Sequence, residues 1–182
     1  MTHLTHRPHH YHFLVIGYGS ELRGDDAIGP WVARAVSQWH LPSVQCLAAQ
    51  QLMPELADYL VHVDYVIFVD ACTGSCAPSI QVNPIVIDNK EPDETVSHAM
   101  PLMTHHYTPS SLLLLTQQLY GYHPQGWTLQ VPAECFSLGD DLSVAAHHGC
   151  DRALQVIEQF LQTYQQPSRH PISTHAQNHA RN

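Results

Sequence analysis

Positive charge is scarce in this sequence: seven lysine and arginine residues stand against sixteen carboxylates across 182 residues. Between Phe13 and Gln166 the basic residues are Arg23, Arg34, Lys90 and Arg152, and they oppose all sixteen acids. A chain so short of cations is a poor match for a phosphate backbone, which argues against nucleic acid as a partner. Long apolar runs are missing too. No window approaches the roughly 20 consecutive apolar residues of a membrane span, and Met1 to His12 lack the apolar stretch of a secretory signal. The expectation is a soluble, cytoplasmic protein with no membrane partner. Cys46, Cys72, Cys76, Cys135 and Cys150 form no Cys-x-x-Cys pair, so zinc ribbons and thioredoxin-type centres drop out. Their odd number fits a reducing compartment. His-Glu-x-x-His is absent as well, which removes the common zinc-protease helix.

What is present is enough for one core, since 44% of the residues are apolar. The expected organisation is a histidine-rich disordered tail over residues 1–11, a single domain over residues 12–166 and a second disordered tail over residues 167–182. Sixteen histidines give the chain an affinity for transition metals, although eight of them lie in residues 1–12 and 167–182. Short β-rich apolar runs alternate with helical patterns. Phe13–Gly17, Val44–Leu47, Tyr65–Asp70, Ile80–Ile87 and Thr128–Val131 read as strands. Ala27–Trp39, Pro54–His62, Pro109–Tyr120 and Val144–Tyr164 read as helices, with Thr108 and Ser143 as N-caps, Pro109 at the first helical position and Gly121 closing the third helix. The alternation predicts an α/β domain, and the proline-containing stretch from Asn89 to Thr104 predicts a long loop.

The first strand runs into Gly17-Tyr18-Gly19-Ser20-Glu21-Leu22-Arg23-Gly24-Asp25-Asp26-Ala27-Ile28-Gly29. The Gly-x-Gly invites a dinucleotide site, but three features oppose it. Leu22 stands in place of the third glycine, Cys46 to Gln51 offer no carboxylate for a ribose, and Asp25 and Asp26 would face a pyrophosphate with like charge. The same helix N-terminus instead suits an ionised carboxylate at Asp26 that can bind a cation, although acidic residues also serve as ordinary helix caps.

The strand Tyr65–Asp70 delivers a second carboxylate at its C-terminal end, the edge where open α/β sheets bind ligands. Asp70 can equally cap the turn that follows. Cys72 reads as a buried, inert thiol more readily than as a nucleophile. A histidine pair, His105-His106, precedes the helix capped at Thr108, and neighbouring side chains in an extended stretch point opposite ways, so one of the two should face a given site. His147 and His148 lie within the last helix and read as exposed. Asp26, Asp70 and His106 together offer two hard oxygens and one imidazole from three loops, a set that binds a divalent transition metal and leaves positions open for water or substrate.

The glycine-acidic opening, the strand ending at Asp70 and the His-His-x-x-Pro before a helix together resemble the nickel-iron hydrogenase maturation proteases, over roughly residues 12–165. The resemblance implies a single three-layer α/β/α domain with a twisted, mostly parallel five-stranded sheet. It implies an aspartyl-type endopeptidase that removes the C-terminal extension of the hydrogenase large-subunit precursor after nickel insertion. Asp26, Asp70 and His106 match the metal-binding and catalytic positions, the nickel being supplied by the substrate, while Gly19, Asp25, Gln51 and His105 match the supporting loops. Ser20 replaces a common asparagine, and Ala48-Ala49-Gln50-Gln51 replaces a common Asp-Gly-Gly-Thr, an arrangement closer to the branch serving bidirectional, NAD-linked hydrogenases. Two alternatives stay open: a nickel-binding checkpoint protein that does not cut, and a cysteine peptidase using Cys72 and His106.

Overall fold

The structure is a computed structural model and describes residues 12–73, 79–87 and 107–165. The two expected tails, the expected loop from Asn89 to Thr104, Cys76, His105 and His106 all lie outside the described residues.

All five expected strands form, and they join one sheet. β1 (Phe13–Tyr18), β2 (Val44–Ala49), β3 (Tyr65–Cys72), β4 (Gln81–Pro84) and β5 (Gln125–Pro132) lie in the order β2-β1-β3-β5-β4. The sheet is parallel except for β4, which pairs antiparallel with β5. β4 is shorter than the expected Ile80–Ile87, and its place on the edge suits Pro84, which has no N–H to offer a further neighbour. β1 and β3 are central, and their apolar runs Phe13–Ile16 and Val66–Val69 are buried throughout, as parallel strands covered on both faces must be.

Four helices follow the predicted pattern: α1 (Ile28–Ser37), α2 (Ala57–Leu60), α3 (Pro109–Tyr120) and α4 (Val144–Gln165). The starts of the first two are wound more tightly than expected, as 3₁₀ turns over Gly24–Ala27 and Pro54–Leu56. At α3 the local chemistry acts as read. The Thr108 hydroxyl accepts the Ser111 N–H while the Ser111 hydroxyl accepts the Thr108 N–H, and Gly121 ends the helix at φ 72°.

Side chains alternate along each strand and so feed two cores. Val15, Val69 and Val131 face Val32 of α1 and Ile157 of α4, while Leu14, Ile16 and Phe68 face Leu60 of α2 and Leu112 of α3. The helices therefore cover both faces of the sheet, giving three layers. α1 connects β1 to β2 on one face, and α2 connects β2 to β3 on the other, so the chain reverses direction across the sheet between β1 and β3. A crevice opens at the carboxyl ends of two strands that diverge in this way.

Candidate functional site

The loop after β1 is shaped by close backbone approach. A Cβ on Gly29 would lie 2.4 Å from the Tyr18 carbonyl oxygen and 2.6 Å from that of Val69, so glycine alone lets the start of α1 sit on the ends of β1 and β3. Gly19 has φ 140°, and a Cβ there would lie 2.0 Å from the Asp26 carbonyl oxygen. That approach brings the Ser20 N–H onto Asp26 Oδ2 at 2.8 Å.

The two acids of the pair have separate tasks, and neither caps a helix. Asp25 is fully buried. Its Oδ2 accepts the Glu134 N–H at 2.9 Å, the Cys135 N–H at 3.0 Å and the Ser143 hydroxyl at 3.0 Å, and its Oδ1 accepts the Ser143 N–H at 2.7 Å. Burial alone would raise its pKa, but these four donors to the charged form outweigh it and hold the carboxyl below its ordinary value. Asp25 thus ties the first loop to the segment joining β5 to α4. Asp26 is half-buried, and its carboxylate is left with the Ser20 N–H at the crevice.

Asp70 stands half-buried near the end of β3. Burial pushes its carboxyl up to about 6, and the charge of Asp26 pushes the same way, against hydrogen bonds from the Tyr18 hydroxyl and the Ala71 N–H. The tertiary structure therefore brings Asp26 and Asp70 together at the switch between β1 and β3. Two adjacent carboxylates, one with an elevated pKa, are what a divalent cation would neutralise, and they also suit acid–base work. Among the described residues, no group of three His, Cys, Asp or Glu side chains is arranged to hold a metal. His106, the expected third ligand, and His105 lie outside the described residues. Tyr107, the residue after them, packs on the α2–α3 face, the same face of β3 that carries Asp70.

Other readings are modified. Gln51 follows β2 at the carboxyl edge of the sheet, but its amide donates to Met53 Sδ at 3.1 Å rather than joining the carboxylates. Cys72 is disulfide-bonded and half-exposed, which corrects the reading of a buried, inert thiol. The buried part of β3 ends at Val69, so Cys72 already lies at the surface, and a disulfide offers no thiolate for a cysteine-peptidase mechanism. His147 and His148 are exposed, as read, and His147 meets the edge of Trp31 with ring centroids 6.4 Å apart. Tyr18 was not singled out from the sequence, although strand alternation places it on the same face as Asp70.

No family model and no curated protein matches the chain. Solved structures do. The hydrogenase maturating endopeptidase HybD from E. coli superposes with a TM-score of 0.63 at 21% identity, covering 84% of this chain and 93% of that one. The nickel-iron hydrogenase maturation protease HycI from Thermococcus kodakarensis KOD1 gives 0.59 at 20% identity, with the same coverage of 84% and 93%. The fold is that of the hydrogenase maturation proteases. A hydrogenase 2 maturation peptidase from a Thaumarchaeota archaeon adds a third case, at 0.56 and 19% identity over 82% of this chain and 97% of that one. The maturation-protease fold thus accounts for nearly the whole length of each of these structures, and the carboxylate pair lies where its sheet switches direction.

Proposed function

We propose that this chain is an endopeptidase that removes the C-terminal extension of a nickel-iron hydrogenase large-subunit precursor once nickel is in place. The observation that carries the reading is the nearness of Asp26, from the turn before α1, to Asp70, from the end of β3, at the carboxyl edge of a sheet with the maturation-protease fold. The nickel belongs to the substrate. Asp26, Asp70 and His106 would bind it as the precursor presents it, and the bound ion would polarise the scissile carbonyl or the attacking water. Asp26 is oriented for this by the Ser20 N–H at 2.8 Å. Asp70, raised to about 6 by burial and by the charge of Asp26, is a carboxylate whose ionisation a bound cation would favour. Gly19 and Asp25 shape the loop that carries Asp26, and the role proposed for His105 is to orient its neighbour.

Two carboxylates and one imidazole, without a thiolate, form a modest nickel site, so the free protein should hold the ion weakly and read it only in a loaded precursor. The setting is cytoplasmic, and no described helix is long and apolar enough to cross a membrane. The decisive experiment incubates the purified protein with nickel-loaded and nickel-free precursor and looks for the released C-terminal peptide by mass spectrometry. Release from the loaded precursor alone is the expected result. Binding of the loaded precursor without release would replace the peptidase by a checkpoint protein, and efficient cutting of nickel-free precursor would overturn recognition through the substrate's metal.

A further inference from the structure

Gly17 of β1 pairs with Val69 of β3, so Tyr18 and Asp70, the next residue on each parallel strand, lie side by side. Alternation puts both on the α2–α3 face, because Tyr18 follows Leu14 and Ile16 at even spacing and Asp70 follows Val66 and Phe68. The Tyr18 ring packs on that core, and its hydroxyl hydrogen-bonds the Asp70 carboxylate. On the other face of the sheet the start of α1 lies close against the Tyr18 main chain at Gly29, which fixes the backbone from which the ring extends. A hydroxyl fixed in this way meets a carboxylate that has only two side-chain torsions to settle.

We propose that Tyr18 is a positioning residue, whose hydroxyl, with the Ala71 N–H, fixes the Asp70 carboxylate in one orientation and leaves its remaining lone pairs directed to the crevice shared with Asp26. This inference rests on Asp70 acting at the site proposed above. A carboxylate accepts about four hydrogen bonds or ligands, so two fixed donors still leave room for a cation or a water. Orientation set in advance removes rotamer freedom that binding would otherwise have to remove, and groups that orient a ligand in this manner change metal affinity or activity by about 10–100-fold. The ring serves the fold, whereas the hydroxyl serves Asp70, so the two roles can be separated by a single atom.

Tyr18→Phe in the full-length protein makes that separation. With nickel-loaded precursor, kcat should fall about 10-fold or more while KM for the precursor and the melting temperature stay as in the wild type. A second readout does not depend on cleavage: Mn2+ alone is titrated into the free protein, and the broadening of the Asp70 and Ala71 backbone amide signals is followed by NMR. The variant should need about 10-fold more Mn2+ to reach half-broadening. Site-specific signals keep the terminal histidines out of the measurement. If the wild type cuts nothing but the Mn2+ difference holds, the peptidase reading fails and the role of Tyr18 stands. A kcat within about twofold of wild type together with equal Mn2+ response overturns the proposal, as does a wild-type protein that neither cuts nor shows Mn2+ broadening at Asp70.

Discussion

Ser143 holds the Asp25 carboxylate from two sides, with its N–H on Oδ1 at 2.7 Å and its hydroxyl on Oδ2 at 3.0 Å. The same hydroxyl accepts the Ala146 N–H at 3.0 Å and so caps α4. One side chain thereby couples the start of the last helix to the loop that carries Asp26.

Removal of this anchor should cost more than an ordinary surface change. Asp25→Ala takes the acceptor from the part-buried backbone N–H groups of Glu134, Cys135 and Ser143 and empties a fully buried position, and a loss of about 3 kcal/mol is expected from chemical denaturation. The pH dependence has a definite sign. The folded pKa of Asp25 is lowered, so its contribution is full above the unfolded value of about 4 and disappears as pH falls through the folded value. Wild-type stability should drop on acidification below about pH 4, and Asp25→Asn should flatten that part of the curve.

Asp70 should behave in the opposite way. Its folded pKa of about 6 lies above the unfolded value, so the charged form costs stability as pH rises from about 4 through about 6. Asp70→Asn is expected to abolish cleavage yet to melt as high as the wild type or higher at pH 7.5. The gain over wild type should grow across that window to at most about 2–3 kcal/mol. Equal pH profiles for the two proteins would show that the Asp70 carboxyl is not perturbed.

Two glycines with positive φ should respond differently to the same added methyl group. Gly19→Ala drives a Cβ to 2.0 Å from the Asp26 carbonyl oxygen, so the loop must move, with a loss of about 3 kcal/mol or more and failure to cleave. Gly121→Ala meets nothing within 4 Å and should cost roughly 1 kcal/mol for the left-handed backbone alone, with cleavage intact. Thermal melts of both variants, alongside a cleavage assay, test the contrast.

The histidine pair gives the last prediction. His106→Ala is expected to abolish cleavage of the nickel-loaded precursor and His105→Ala to reduce it about 10-fold, with both proteins folded by circular dichroism. The reverse ranking would place the ligand one residue earlier.

Much of the fold was legible because its signals are local. Thr108, Pro109 and Gly121 mark α3 at the residues where it begins and ends, since capping and a left-handed stop depend on a few neighbouring backbone groups. The apolar runs of β1 and β3 announce strands covered on both faces. The 3₁₀ turns that lead into α1 and α2, and the shortness of β4, do not follow from the periodic pattern, because packing rather than periodicity sets such boundaries.

For the site, the sequence by itself determined the chemistry on offer: which carboxylates end which strands, which glycines admit close backbone contact, and how few cations could oppose a metal. It also carried the likeness to the maturation proteases through motifs whose order along the chain can be read directly. What only the tertiary structure decided was the division of labour. Asp25 and Asp26 are adjacent and chemically alike, yet one reaches across 118 residues to Ser143 and is buried, while the other stays at the crevice with Ser20. Tyr18 and Asp70 become partners because two parallel strands lie in one register. Side-chain roles of this kind depend on solvation and on contacts distant in sequence, and both are set when the sheet closes its two faces.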